Sequence, residues 1–449
     1  MTFSEDQLEA LKRLDEFVFD KKVPINDSFS FYVPGKTTLN KTFLLKGKPG
    51  VGKTTVIKEF INRLKNNKYK DFIICAPTHK AARVLSDGIN EEVLTIHKLL
   101  ELSPVLNIID FDLKDLKFSQ TDVGLNTKLL IIDESSMIND HLYDTIIKKS
   151  HNTKIIFIAD FKQLKPVKSK TLSKVSGIEN NFELTTNHRQ DDNAIIKLVE
   201  ESRNRIIQNF KPYVSENIEI FTSAKALADD AIVNYRVQSA LEYEKFCKIL
   251  TYTNNRVESF NKYVHSQLSD EEYHFNEILT GYSSFNNIIQ NSEDFLVKCF
   301  DNTNKTLPIL GITVEGYNLM IKSMITGVES GIFILSRDTS QDTKDNIAVS
   351  LENIRLKAMR SRGRNRWSDW YKINDSFCIP FDLIYDDRII KKKTLDYGYA
   401  TTLHRSQGST YDLVYYDNNS IQFCYDLQEK RQLQHVALSR VSSKLNILI

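Results

Sequence analysis

One stretch restricts the fold of this chain more than any other. Apolar Thr42-Phe43-Leu44-Leu45 runs into Lys46-Gly47-Lys48-Pro49-Gly50-Val51-Gly52-Lys53-Thr54-Thr55, the G-x-x-x-x-G-K-T spacing of a phosphate-binding loop. The glycines let a backbone close around an anion, so that successive N–H groups and a helix N-terminus face the phosphates. Lys53 adds positive charge at the β- and γ-phosphates, and Thr54 places a hydroxyl where magnesium would sit. Val56, Ile57, Phe60, Ile61 and Leu64 then recur at helical spacing. That periodicity predicts an amphipathic helix lying on a sheet, as such a loop requires.

Further apolar runs follow, each closed by a polar cluster: Phe72-Ile73-Ile74-Cys75-Ala76 before Pro77-Thr78-His79-Lys80, Leu129-Leu130-Ile131-Ile132 before Asp133-Glu134, and Ile155-Ile156-Phe157-Ile158-Ala159 before Asp160-Phe161-Lys162-Gln163. Strands alternating with helices predict a parallel α/β sheet, in which ligands sit outside the carboxyl ends of the strands. Adjacent carboxylates at such an end have two duties available. Asp133 is expected to hold the magnesium bridging the β- and γ-oxygens, and Glu134 to orient or deprotonate the attacking water. A second alternation runs from residues 182–189 through apolar segments at 249–253, 413–416 and 445–449, and it has no phosphate loop of its own.

Ser4 and Gln7 precede Leu8, Leu11, Leu14, Phe17 and Val18, the pattern of a capped amphipathic helix. Gln7 is either the capping partner or, through its two-faced amide, a reader of adenine. Over residues 282–393 the helical period fades, and short apolar runs at 295–297, 332–335 and 347–351 among turn residues predict a β-rich insertion. Within it Arg360, Arg362, Arg364 and Arg366 lead to Trp367 and Trp370, with Lys391-Lys392-Lys393 beyond. Basic residues beside aromatics suit single-stranded nucleic acid, and equally suit a solvated loop anchored by tryptophans in a local core.

A chain of 449 residues has room for two to four domains. Its net charge of +2 means that any polyanion site is a local groove. Five scattered cysteines without a C-x-x-C suggest neither a zinc site nor a disulfide framework, and so a reducing, cytoplasmic compartment. The acidic, polar start is unlike a signal peptide, and no apolar run is long enough to cross a bilayer, so no membrane partner is expected.

Taken in order, the segments 47–55, 76–85, Thr95-Ile96-His97, 133–137, 160–167, Arg189, 398–408 and 436–440 resemble the superfamily 1 helicases of the RecD-like branch, over nearly the whole chain. The resemblance implies an α/β fold of two RecA-like parallel-sheet domains, 1–185 and 186–281 with 394–449, and a small β-barrel-like insertion at 282–393. It implies ATP and Mg2+ in the cleft between them, single-stranded DNA across their top, and an ATP-dependent DNA helicase moving 5′ to 3′ and unwinding duplex. Gln7 would read adenine, and Gly47, Gly50, Gly52, Lys53, Thr54, Thr55 and Gly408 would line the nucleotide. Thr54 and Asp133 would hold the metal, Glu134 would activate water, Gln163 would sense the γ-phosphate, and Arg189 and Arg440 would act as arginine fingers from the second half. Pro77, Thr78, His79, Thr402 and His404 would touch DNA. Residues 101–128, longer than such links usually are, would form a projecting β-hairpin pin with Phe111 or Phe118 at its tip. Expected partners are single-stranded DNA and its junctions with duplex, with a single-stranded-DNA-binding protein or replication proteins as candidate protein partners; a monomer is expected. Three positions depart from the family's habit: Ala159 for glycine, Lys165 for proline and Ser135 for valine.

Two other readings remain open at this point. A nucleic-acid-binding switch or translocase would use ATP without splitting duplex. A kinase would need an acceptor pocket but no second half bearing its own arginines.

Overall fold

The computed structural model describes residues 3–19, 41–48, 50–101, 103–105, 117–119, 124–161, 173–186, 194–241, 247–286, 288–361 and 367–449, with backbone only at 79, 80, 84, 87, 103–105, 117–119 and 238–241. Helix α1 (Glu5–Phe19) buries Ala10, Leu11, Leu14 and Val18 along one face. It leads to β1 (Thr42–Gly47) and α2 (Lys53–Asn66), then β2 (Phe72–Ala76), α3 (His79–Ile89), β3 (Leu94–Thr95) and α4 (Ile96–Leu99). Next come β4 (Ser103–Val105), β5 (Lys117–Ser119), β6 (Leu129–Ile132), α5 (Asp140–Lys149), β7 (Lys154–Ala159) and β8 (Asn181–Leu184). Six of these strands form one parallel sheet in the order β3-β2-β6-β7-β1-β8. All four residues of β6 are buried, because helices cover both faces of a parallel sheet and its strands therefore read as unbroken apolar runs. Val56, Ile57, Phe60, Ile61 and Leu64, the stripe expected after the phosphate loop, are the buried residues of α2. Burying side chains of this size contributes roughly 1.5–3 kcal/mol each.

The chain continues through α6 (Ala194–Ser202), β9 (Ile218–Phe221), α7 (Ala224–Leu241), β10 (Cys247–Thr251) and α8 (Asn254–Leu268). It then builds β11 (Ile278–Gly281), β12 (Asp294–Thr306), β13 (Thr313–Ser323), β14 (Glu329–Leu335), α9 (Gln341–Arg360), α10 (Ser368–Asn374), β15 (Leu383–Tyr385), β16 (Arg388–Lys391) and β17 (Leu395–Tyr397). It closes with β18 (Ala400–Thr402), β19 (Tyr411–Asp417), α11 (Leu427–Ser439) and β20 (Val441–Leu448). A second parallel sheet has the order β18-β10-β19-β20-β9, and an antiparallel sheet the order β14-β13-β12-β11-β17. The fold is therefore α/β with two parallel sheets and a β-rich excursion between strands of the second. β11 and β17 pair with each other, Leu279 opposite Tyr397, at the neck of that excursion.

The expected strand at 347–351 is instead part of α9, a helix of 20 residues. Its buried face includes Ile347, Ala348, Leu351, Glu352, Arg355 and Ala358. Glu352 and Arg355 satisfy each other there, Arg355 Nε donating to Glu352 Oε2 at 2.6 Å. Two charged residues in the middle of the stripe hide a helical period from any count of apolar residues. The tryptophans pack in the same core, Trp370 buried beside Ile347, Leu351 and Phe377 and edge-on to Trp367 at 6.5 Å. Lys391 is buried too, its Nζ 3.1 Å from Asn374 Oδ1, and burial pushes its ammonium down to about 8. Lys393 donates to Asp396 at 2.7 Å. Two of the three consecutive lysines thus serve the interior, while Arg362, Arg364 and Arg366 lie outside the described residues.

The link between α4 and β6 carries an antiparallel pair, Ser103 opposite Ser119 and Pro104 opposite Phe118. Phe118 lies in β5, and Phe111 lies outside the described residues.

Candidate active site at the ends of two parallel sheets

Strands β6, β7 and β1 are neighbours, so their carboxyl ends bring Asp133, Asp160 and the loop after Gly47 together. The loop's glycines are required by geometry. Gly50 and Gly52 have φ of 84° and 80°, in the left-handed region open to glycine, and Gly52 is the N-cap of α2. A Cβ at Gly47 would stand 2.7 Å from Val51 Cγ2. No side chain caps α2, so its first N–H groups face the loop's concavity. The Lys53 ammonium reaches across it to the carbonyls of Gly47 and Lys48, at 2.7 and 2.9 Å. Thr54 and Thr55 open α2, and Thr54 lies under Gly88 of α3, where an added Cβ would meet Thr54 Cγ2 at 3.2 Å.

Gln7 is buried and its amide works in both directions. Its Oε1 accepts from the Ser4 N–H at 3.2 Å, as a capping partner does, while its Nε2 donates to the Val51 carbonyl at 3.1 Å. The first helix is thereby fastened to the phosphate loop. Asp6 ties the same helix to the end of β8, accepting from the N–H groups of Thr185 and Thr186 at 2.8 and 2.9 Å.

Asp133 follows β6 with its N–H on the Cys75 carbonyl, and its Oδ1 accepts from the Glu134 N–H at 2.9 Å. Burial and the Glu134 charge raise its pKa above the ordinary carboxylate range, against the pull of that N–H and of Lys53. A carboxylate held so is a good seat for a cation, which removes the penalty. Glu134 has φ 48° and ψ 36°, a left-handed conformation that costs a non-glycine residue about 1 kcal/mol or more and gathers at functional sites. Ser135, where valine is usual, is fully buried, donates to the Ile132 carbonyl at 2.7 Å and accepts from the Ile158 N–H at 3.3 Å. The hydroxyl ties the ends of β6 and β7 together, and so sets the spacing between Asp133 and Asp160.

Asp160 marks the meeting of the two parallel sheets. It is buried and receives both arms of Arg203, NH1 to Oδ2 at 3.2 Å and NH2 to Oδ1 at 3.1 Å. Arg203 directly follows α6, in the second half, and nothing in its local sequence distinguishes it from other helix-end arginines. Beside it Ser202 Oγ lies 3.0 Å from Nδ1 of His435 in α11. Burial, with the charges of Arg203 and Arg440, lowers His435 to about 4 against the pull of Asp160. Arg440 is the C-cap of α11, buried, its NH1 donating to the Ser409 carbonyl and its NH2 to Ser439 Oγ, both at 3.1 Å. Gly408, at φ 73°, precedes Ser409 and stands against α3, 3.7 Å separating its ideal Cβ from that of Ala81.

The residues expected on DNA lie along the same seam. Pro77 and Thr78 lead into α3, with Thr78 Oγ1 accepting from the Ala81 N–H at 3.1 Å as the helix cap, and His79 begins the helix. Thr402 ends β18, and His404 is half-buried 3.7 Å from Glu429 and beside Tyr252. Arg83 of α3 also pairs with buried Glu293, just before β12 of the antiparallel sheet. Gln163 and Arg189 lie outside the described residues.

Residues 36–217 match the AAA domain family, and residues 397–448 match the UvrD-like helicase C-terminal domain. The RecBCD enzyme subunit RecD of Buchnera aphidicola is 32% identical over 49% of this chain and 43% of its own. The ATP-dependent DNA helicase dda of Enterobacteria phage T4 is 22% identical over 88% of this chain and 92% of its own. Among solved structures, Pif1 of Bacteroides bound to single-stranded DNA has the same fold, with a TM-score of 0.54 at 16% identity, covering 100% of this chain and 92% of that one.

Proposed function

From a chain that belongs to the RecD-like branch of the superfamily 1 helicases, we propose a DNA motor that hydrolyses Mg-ATP between its two parallel sheets, moves 5′ to 3′ along single-stranded DNA and parts duplex ahead of it. The observation that carries this reading is the seam itself. A phosphate loop and two carboxylates at the ends of β1 and β6 face a second sheet that has no such loop and contributes arginines instead. The Asp160–Arg203 pair joins the two sides.

In this reading the first parallel-sheet unit is 1–185, the second is 186–281 with 394–449, and 282–393 is carried on the β11–β17 neck. The N–H groups at the start of α2 and the Lys53 ammonium hold the β- and γ-phosphates, Lys53 leaving the carbonyls of Gly47 and Lys48 to do so. Thr54 Oγ1 and Asp133 would hold Mg2+, which would neutralise charge on the phosphate oxygens. Glu134 orients the water and takes its proton. Arg440, reaching from the end of α11, meets the charge that develops on the transferring phosphoryl group, with Arg189 and Gln163 completing the cradle. Thr78, His79, Thr402 and His404 contact the DNA backbone along the seam above, and the link from β4 to β5 caps the last stacked pair through Phe111, since Phe118 is held in the ladder opposite Pro104.

Strand displacement separates the parts of this reading. A duplex with a 5′ single-stranded tail is unwound in an ATP-dependent manner, one with a 3′ tail is not, and Lys53→Ala abolishes the first without releasing DNA. Equal unwinding of both tails would contradict the direction, and unwinding by Lys53→Ala the nucleotide site. Replacing 105–120 by a short Gly-Ser link leaves DNA-stimulated ATP hydrolysis in place while unwinding is lost; full unwinding by that variant would put the wedge elsewhere.

A further inference from the structure

Where α8 meets the neck of the antiparallel sheet, His265, His274 and Glu277 each bring one ligand atom to within 4.8 Å of the others. His265 comes from the last turn of α8, and His274 and Glu277 from the turn before β11. Glu277 is fully buried, while the histidine side chains keep 12% and 20% exposure, so water has access from one side.

The protons around this group can be assigned from its neighbours. His265 Nε2 lies 3.0 Å from the Glu271 carbonyl, and His274 Nδ1 lies 2.9 Å from the Phe275 carbonyl. A carbonyl only accepts, so each of these outward nitrogens carries a hydrogen. In neutral rings the inward nitrogens, His265 Nδ1 and His274 Nε2, are then lone pairs. Both look at oxygen. His265 Nδ1 is 2.9 Å from Glu277 Oε1, and His274 Nε2 is 3.1 Å from the Tyr399 hydroxyl and 3.7 Å from Glu277 Oε2. The one Tyr399 proton goes to Glu277 Oε1 at 2.7 Å. Glu277 Oε2 also accepts from the His274 backbone N–H at 3.3 Å, but neither that hydrogen nor the Tyr399 proton lies between the carboxylate and the two ring lone pairs that converge on it, in a place where charge is poorly solvated.

A cation removes that conflict. We propose that His265, His274 and Glu277 form a binding site for a divalent metal of the zinc class, with water or the Tyr399 oxygen as a fourth ligand. Two imidazole nitrogens and one carboxylate suit Zn2+ rather than Mg2+ or Ca2+, which take oxygen ligands. The two carbonyls behind the rings are what ligating histidines need, since they set the tautomer that leaves the inward nitrogen bare. The site shares no residue with the nucleotide cleft. It fastens α8 of the second parallel-sheet unit to the neck that carries the excursion, where Tyr397 of β17 also stacks on His265 at 4.0 Å.

The test uses the full chain, stripped of metal by chelator, without nucleotide and with Cys299→Ser to remove the exposed thiol. Titrated Co2+ gives a tetrahedral visible absorption band that saturates at one equivalent and is displaced by Zn2+. Zn2+ at a hundredfold excess over its Kd raises Tm by roughly 3 °C. His274→Gln, at the most exposed ligand, keeps the parent circular dichroism but weakens Co2+ binding about 100-fold or more and loses the Zn2+ shift. The proposal is overturned if the parent shows no such band and no shift, which would leave an ion pair of protonated His265 with Glu277 in its place. It is equally overturned if band and shift survive in His274→Gln.

Discussion

The two parallel sheets solve the same packing problem and end in opposite chemistry. Strands of the first finish in a glycine loop, Asp133, Glu134 and Asp160, whereas the second has Thr402 and His404 at the end of β18 and, ahead of β19 and β20, Gly408 and Arg440. One side can hold a phosphate and a metal; the other brings positive charge that a lone phosphate loop lacks. On the proposed reading neither side is a complete site for phosphoryl transfer, and turnover would depend on how the sides are held. In the proposed reading, DNA lying along the seam between α3 and the 398–408 segment would govern hydrolysis.

Removing the charge delivered by the second side tests this asymmetry most severely. Arg440→Ala should lower kcat by roughly 10³–10⁵-fold while leaving ATP affinity within a few-fold, as loss of an arginine finger does. Normal turnover would make Arg440 a clamp on Ser409 and Ser439 and nothing more.

The tie between the sides comes next. Arg203→Ala leaves Asp160 buried without this partner, which typically costs about 3–5 kcal/mol, whereas replacing both, as Asp160→Asn with Arg203→Met, should cost less than the single change. Chemical denaturation of the three variants checks it; additive losses would mean that the pair does not act as a unit.

His435 sharpens the comparison through pH. Its folded value, about 4, lies below the ordinary 6.5, so the folded chain resists protonation that the unfolded chain accepts. Its stabilising effect is present above 6.5 and is lost as pH falls toward 4, on the order of 3 kcal/mol in all. In His435→Asn the dependence of unfolding free energy on pH should flatten over that window, and an unchanged slope would assign the loss to other groups.

The smallest effect belongs inside the first sheet. Ser135→Val restores the family's usual residue but removes the hydroxyl's bonds to the Ile132 carbonyl and the Ile158 N–H, at a cost of about 1 kcal/mol in stability. Higher stability in the variant would show that the hydroxyl is not needed to join β6 to β7.

What was legible beforehand follows from what is local. The phosphate loop, the Asp133-Glu134 pair and the strands of the first sheet are runs of adjacent residues whose chemistry and period survive in one dimension. Gln7 shows the limit: spacing left capping and nucleotide contact both open, and its amide turned out to bridge Ser4 and Val51. Helix α9 is hidden in the sequence because its buried face contains Glu352 and Arg355. The lysines at 391 and 393 read equally as part of a solvated basic loop, but they donate to Asn374 and to Asp396. Arg203 and the His265–His274–Glu277 group could not have been found at all, since each acquires meaning only from a partner or carbonyl that folding brings alongside.

Steady-state ATP hydrolysis by the full chain, with and without saturating single-stranded DNA, tests the central claim most directly. If the two sides form one site governed from the seam, DNA raises kcat at least about tenfold in the parent, a change of 1.4 kcal/mol in barrier, and this stimulation disappears in Arg440→Ala. A rate that is the same with and without DNA, or stimulation that persists without Arg440, would contradict it.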